Sequence, residues 1–152
     1  MTAFPSYDPW QQLAEGWPHV RVRFAPLRGD LLGEIRDRGH RLEIVLREGS
    51  SPGQLRCTLA HEVIHLERGL ESCGPWQQRE EDLIQLQVSR RLIRMPQLLE
   101  LVPFHGHDLA GLAAALEVDH ETLRLRLSSM NRDERARLRR AAIAVGGHLS
   151  DV

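Results

Sequence analysis

Two histidines four positions apart, with a glutamate directly after the first, are the residues of this chain best suited to chemistry. They are His61, Glu62 and His65 in the run CTLAHEVIHL. In a helix, positions i and i+4 stack on one face, so the two imidazoles can close on one metal ion. The carboxylate of Glu62 then points to the side, where it can take a proton from a water on that ion. The spacing predicts a hydrolytic metal site with Glu62 as the catalytic base.

The residues around this motif favour a helix. Ser51 and Pro52 provide an N-cap followed by a proline in the first turn. An apolar stripe follows at helical spacing, formed by Leu55, Leu59, Val63 and Leu66. In the competing interpretation the two histidines bond to backbone or solvent, Glu62 lies on a solvated face, and no metal binds.

A third metal ligand must come from elsewhere, because catalytic zinc usually takes three protein ligands and keeps one position for water. Residues 79–95 contain a second apolar stripe at helical spacing, made of Ile84, Val88, Leu92 and Met95. Glu81 heads this stripe, whereas Glu80 and Asp82 lie about 100° to either side of it. Since the stripe would pack toward the first helix, Glu81 is the predicted third ligand of a Zn²⁺ ion held by His61 and His65.

These motifs resemble the ImmA/IrrE-type metallopeptidases, in particular their short actinobacterial and phage-associated form. The resemblance rests on RCTLAHEVIH at 56–65, REE at 79–81 and RRLI at 90–93. It implies a zincin-like fold and a zinc endopeptidase that cleaves a partner helix-turn-helix repressor. Two departures leave the ligands intact: Ile64 stands where many members have glycine, and Gln87-Val88 replaces an aromatic-small pair.

The order of predicted elements indicates an α+β fold. Trp10 to Glu15 is typical of a short helix, and the alternation around Val22 predicts a strand. Leu31 to Arg36 and Arg41 to Leu46 predict a hairpin. We expect these strands to form a short antiparallel sheet beside the metal-binding helix. Glu43 to Arg47, or the neighbouring strand, would then hold an extended peptide by strand addition.

A zincin-like core is expected at 1–102, with a helical subdomain at 103–152 packed on it as one unit. After a loop at 103–107, Asp108 and Asp119 are suitable N-caps for two helices with the rhythm of a helix-turn-helix. The competing function is therefore a DNA-binding regulator with a structural or vestigial metal site. Its DNA contacts would come from Thr122, Arg124 and Arg126. Such helix pairs also serve as packing units only.

The composition suits one compact unit of 152 residues with a net charge of −1. That charge gives no bulk attraction to nucleic acid or to membranes, although residues 124–140 set seven arginines against Asp133 and Glu134. The N-terminal residues lack the basic and apolar pattern of a signal peptide, and no apolar run is long enough to span a bilayer. We therefore expect a cytoplasmic protein.

Two features leave alternatives open. The side chain that stabilises the transition state could be Tyr7, His105, His107 or an arginine. Cys57 lies one helical turn before the first histidine, so it could be a thiolate ligand. A small buried thiol fits better, because zinc peptidases keep an open position for water. A Cys57–Cys73 disulfide is conceivable, but a reducing compartment disfavours it.

Overall fold

Seven helices and one three-stranded sheet make up the described part of the chain, residues 6–70 and 76–144 of a computed structural model. In chain order these elements are α1 (Pro9–Gly16), β1 (Arg21–Ala25), β2 (Gly33–Asp37), β3 (Leu42–Arg47), α2 (Pro52–Arg68), α3 (Gln77–Leu92), α4 (Met95–His105), α5 (Leu109–Ala115), α6 (His120–Ser128) and α7 (Arg132–Ile143). The predicted α+β class is therefore confirmed. None of the described helices combines the length and apolarity needed to cross a membrane.

The sheet is mixed, with the strand order β1-β3-β2. β2 and β3 form the predicted antiparallel hairpin, whose turn contains Gly39 at a φ of 77°. β1 pairs with β3 in parallel, with Val22 opposite Ile44, so the expectation of a purely antiparallel sheet was wrong. Alternating apolar residues specify which face of a strand is buried. They do not specify which strand becomes its neighbour or in which direction it runs.

The central position of β3 changes which strand can bind a peptide. Ile44, Val45 and Leu46 are completely buried, and both edges of β3 are hydrogen-bonded to neighbouring strands. The segment from Glu43 to Arg47 therefore has no free edge for strand addition. Among the described residues β2 pairs on one side only and, like β3, contacts α2, so β2 is the strand near this helix that has a free edge.

Helix α2 begins where the sequence predicts and is packed on two sides. The Ser51 hydroxyl accepts the N–H of Gln54, while the Gln54 side chain accepts the N–H of Ser51, which closes a capping box. Leu59, Val63 and Leu66 pack with the apolar residues of the sheet. Cys57, Ala60 and Ile64 pack on the other side, among residues of α3 to α7. The histidine motif therefore lies on a helix held from both sides.

Helix α3 buries the predicted stripe but ends before its last member. Ile84, Val88 and Leu92 are buried, whereas Ile93 is extended and Met95 begins α4. Pro96 accounts for this break, because in a continued helix it could not donate to the carbonyl of Leu92 and its ring would clash with that carbonyl, whereas it is well placed in the first turn of the next helix.

Helix α4 runs through Pro103 to His105, where the sequence predicted a loop starting at residue 103. Proline in the last turn removes only one backbone hydrogen bond, so the helix continues for two residues beyond it. The expected boundary between residues 102 and 103 therefore falls inside a helix. One apolar cluster joins Ile64 and Ile84 to Leu112, Leu123 and Ala142, so the C-terminal helices share a core with α2 and α3.

Candidate metal centre

His61 and His65 lie one turn apart on α2 and turn their imidazoles toward each other. Their Nε2 atoms are 3.0 Å apart, and the ring centroids are separated by 4.7 Å. Both rings are largely covered, with side-chain exposures of 15% and 16%. The pair therefore forms the floor of a site in which two nitrogen lone pairs can face the same point.

Glu81 is the carboxylate that α3 brings to this pair. Its Oε2 lies 3.1 Å from Nε2 of His61, and its Oε1 lies 3.3 Å from Nε2 of His65. The flanking carboxylates are engaged elsewhere: Glu80 pairs with Arg68, and Asp82 accepts a hydrogen bond from Gln78. His61, His65 and Glu81 form a possible metal-binding triad, so their predicted convergence is confirmed.

The spacing of the three donors suits a small divalent ion. Bonds of about 2.0 to 2.1 Å in a tetrahedral geometry separate the donor atoms by about 3.3 to 3.4 Å. The observed separations of 3.0, 3.1 and 3.3 Å lie close to that range, with the two distances to Glu81 measured to different oxygens of its carboxylate. Burial lowers the pKa of His61, and the neighbouring His65 lowers it further, while Glu81 acts in the opposite direction. A neutral His61 has the lone pair that a metal ligand needs.

Glu62 is the carboxylate beside the triad with no partner of its own. It is 6% exposed and forms no hydrogen bond within the described residues. Burial raises its pKa to about 8, and repulsion from Glu81 and Glu34 contributes in the same direction. A cation at the triad would favour the charged form of Glu62, because opposite charges at short range stabilise each other. The residues present therefore fit a metal ion.

A cleft of about 280 Å³ opens beside the triad and is lined by His61, Glu62 and Glu81. The sequence did not predict several other residues that line this cleft. They come from β2 and the segment before it, from α3, and from the N-cap and first turn of α6: Asp30, Leu31, Gly33, Gln85, Asp119 and Glu121. Only Gln85 carried a local signal, since it follows Glu81 by one helical turn. A larger groove of about 380 Å³ lies between Leu83, Leu86 and Arg90, away from the triad.

The side chains considered for transition-state stabilisation do not line this cleft. Tyr7 lies beside Arg91, whose Cζ is 5.9 Å from the ring centroid, and burial raises the pKa of the phenol. His105 and His107 lie at and beyond the end of α4. Among the described residues that line the cleft there is no tyrosine, no arginine and no histidine besides His61. Gln85, one helical turn after Glu81, also lines the cleft, and its side-chain amide can donate a hydrogen bond there.

Cys57 also lines the cleft, where it is a buried thiol. Burial and the nearby Asp119 raise its pKa to about 12, and its Sγ accepts the backbone N–H of Asp119 at 3.4 Å. Cys57 is not among the residues whose donor atoms converge at the triad, and its thiol is engaged by the N–H of Asp119, so the structure does not place it as a metal ligand. Cys73, the partner in the conceivable disulfide, lies outside the described residues.

Two of the three side chains expected to contact DNA are buried. Thr122 and Arg126 are 5% and 4% exposed, and Arg126 donates to the carbonyl of Ile93 and to Glu134. Only Arg124 is exposed. The sequence interpretation was wrong for Thr122 and Arg126, because the face of α6 that carries them packs against the rest of the protein.

No protein-family model matches the chain, and no curated protein matches it significantly. The resemblance to the ImmA/IrrE-type metallopeptidases therefore rests on the residues that carry it and stays a prediction.

Proposed function

We propose that this protein is a zinc-dependent endopeptidase. The observation that carries the proposal is the convergence of His61, His65 and Glu81 within coordination distance, with the unpartnered carboxylate of Glu62 beside them in a cleft. A metal ion held here would have three protein ligands, with the cleft and the carboxylate of Glu62 beside it. Two imidazoles and one carboxylate form a donor set typical of hydrolytic zinc enzymes.

Three of these residues would bind the metal ion, and the fourth would transfer protons. His61, His65 and Glu81 would hold the ion, and zinc would supply Lewis acidity toward a water and the scissile carbonyl. Glu62 would accept a proton from the attacking water and deliver it to the leaving amine nitrogen. Without a metal the pKa of Glu62 is raised to about 8, and a cation at the triad would lower it, which suits a group that must both take and release a proton.

The substrate peptide would lie along β2. This strand is hydrogen-bonded on one side only, and Gly33 at its start lines the same cleft as Glu62. An extended peptide could add to the free edge through main-chain hydrogen bonds. That position would bring a peptide bond to the open coordination site. The resemblance to ImmA/IrrE-type enzymes favours a helix-turn-helix repressor as the protein substrate.

The first test measures zinc in purified protein by elemental analysis. We expect about one zinc per chain, lost in His61→Ala, His65→Ala and Glu81→Gln. His40→Ala, which removes an exposed histidine in the hairpin turn, and Glu80→Gln, next to the third ligand, should keep the metal. Unchanged zinc content in the three ligand variants would contradict the site.

The second test separates catalysis from metal binding. Glu62→Gln should keep its zinc and lose cleavage of any helix-turn-helix repressor that the wild type cleaves, because the amide cannot take the proton of the water. The cleaved fragments can be followed by mass spectrometry. Near-normal cleavage by this variant would show that the assignment of Glu62 is wrong.

A DNA-binding regulator is the less supported alternative. Of the three proposed DNA contacts, Arg124 is the one that is exposed, and Glu121 and Thr122 at the start of α6 line the cleft beside the triad. A sequence-specific DNA complex that persists at physiological salt, in a chain without proteolytic activity, would favour the regulator instead.

A further inference from the structure

Five carboxylates line the cleft beside the candidate metal triad. Besides Glu62 and Glu81, it is lined by Asp30, Asp119 and Glu121, and no arginine is among its lining residues. These three carboxylates come from two separate parts of the chain, the segment before β2 and the start of α6. The cleft therefore gathers negative charge from elements that are distant in sequence.

A divalent ion at the triad would not neutralise this charge. Its two positive charges would be balanced by Glu62 and Glu81, which leaves Asp30, Asp119 and Glu121 uncompensated. Asp119 is partly engaged, because its side chain caps α6 by accepting the N–H of Thr122 at 2.7 Å. Asp30 and Glu121 form no ion pair within the described residues. Because the low-dielectric walls of a cleft strengthen the electric field inside it, the negative potential of these carboxylates should attract positively charged groups.

The preference of helix N-termini for acidic residues explains Glu121 but not Asp30. Glu121 lies in the first turn of α6, where the helix dipole favours an acidic residue. Asp30 precedes a strand, so no helix dipole explains it. Glu62 is 6% exposed, lines the same cleft and has no hydrogen-bond partner among the described residues, which favours a polar or charged ligand in the cleft.

We propose that Asp30 and Glu121 select a substrate segment with an arginine or lysine side chain next to the scissile bond. This inference rests on the proposed peptidase function, since it names the substrate class of the same site. An extended peptide on β2 would pass between these two carboxylates and the triad. Because Glu121 belongs to α6, the C-terminal helices contribute a wall of the peptidase cleft.

The test first measures binding, independently of cleavage. Zinc-loaded Glu62→Gln protein is titrated with fluorescent octapeptides that each carry one arginine, and with a matching set that carries glutamine in its place. We expect the arginine set to bind about ninefold more tightly, because each of two exposed to half-buried ion pairs contributes about threefold. Adding Glu121→Gln or Asp30→Asn should reduce that preference about threefold each, whereas Glu117→Gln, an exposed control outside the cleft lining, should leave it unchanged.

Cleavage by the wild-type enzyme then separates this inference from the proposed function. Arginine-selective binding without any cleavage by the zinc-loaded wild type would overturn the peptidase and leave the recognition intact. Cleavage with no preference for arginine or lysine near the cut, or a preference unaffected by Glu121→Gln and Asp30→Asn, would overturn the recognition. Zinc binding near two ions per chain that falls to one in Glu121→Gln would also overturn it, by showing that the carboxylates hold a second cation.

Discussion

At the scale of single residues, Gly33 is the position where a side chain would most directly disturb the candidate centre. A Cβ atom there would overlap the methyl group of Thr58 and would lie 3.3 Å from Oε1 of Glu62. Glycine at this point lets the start of β2 approach α2 closely, beside the proposed base. The contact couples the edge strand to the position of the Glu62 carboxylate.

We expect Gly33→Ala to lower the free energy of unfolding by about 1 to 3 kcal/mol, because the extra methyl group overpacks this contact. Cleavage should fall more than zinc binding does, since Glu62 is displaced while the ligands are not. Urea denaturation and zinc analysis measure the two effects. Gly16→Ala is the control, because a Cβ atom at Gly16 meets nothing within 4 Å. Wild-type stability and cleavage in Gly33→Ala would show that the close approach is unimportant.

At the scale of elements, the turn between α5 and α6 is held on α2, and this attachment positions the cleft wall. Arg56 donates hydrogen bonds to the carbonyls of Leu116 and Tyr7, both at 2.8 Å, and to the hydroxyl of Ser6. A Cβ atom on Gly53 would come within 2.7 Å of the Val118 backbone, so the turn lies directly against the first turn of α2. Glu121 and Asp119 reach the cleft because of this docking.

Arg56→Lys should test the attachment, because lysine keeps the charge but loses the planar fork of guanidinium donors that spans the separate acceptors. We expect a loss of about 2 kcal/mol in the free energy of unfolding, in line with hydrogen bonds from a charged group. Chemical denaturation gives the value, and Arg38→Lys in the exposed hairpin turn serves as the control. A change below about 0.5 kcal/mol, the range of ordinary surface substitutions, would mean that Arg56 does not hold the turn.

At the scale of the whole molecule, a buried arginine ties the C-terminal helices to the rest of the chain. Arg126 is 4% exposed, donates to the carbonyl of Ile93 at 3.0 Å, and pairs with Glu134 on α7 at 2.7 Å. The hydrogen bond from Arg126 is the main reason that the pKa of Glu134 is lowered below 4.5. The carboxylate is therefore more stable as an anion in the folded state than in the unfolded state.

This shift predicts how stability depends on pH. A lowered folded pKa contributes stability that is fully present above the unfolded pKa of about 4.5 and is lost as pH falls through the folded value. Glu134→Gln should remove that part of the decline, so its unfolding free energy should change less than that of the wild type between about pH 5 and pH 3. Glu100→Gln, on the exposed side of α4, is the control. Identical slopes for Glu134→Gln and the wild type would contradict the role of this pair.

The sequence by itself determined those features that depend on local periodicity. Histidines four positions apart face one side of any helix, and the stripe of Ile84, Val88 and Leu92 specifies which of three adjacent acidic residues faces inward. For this reason the metal triad could be predicted before its geometry was known. The hairpin of β2 and β3 was predictable on the same basis, because its turn and its apolar residues are close in sequence.

Only the tertiary structure decided which distant elements meet. The parallel pairing of β1, the burial of Thr122 and Arg126, and the approach of Glu121 to the cleft all join segments separated by many residues, and no local pattern specifies such neighbours. The raised pKa of Glu62 has the same origin, since it follows from burial and from charges on other elements. Periodicity orients a side chain about its own helix or strand, whereas packing between elements decides what that side chain faces.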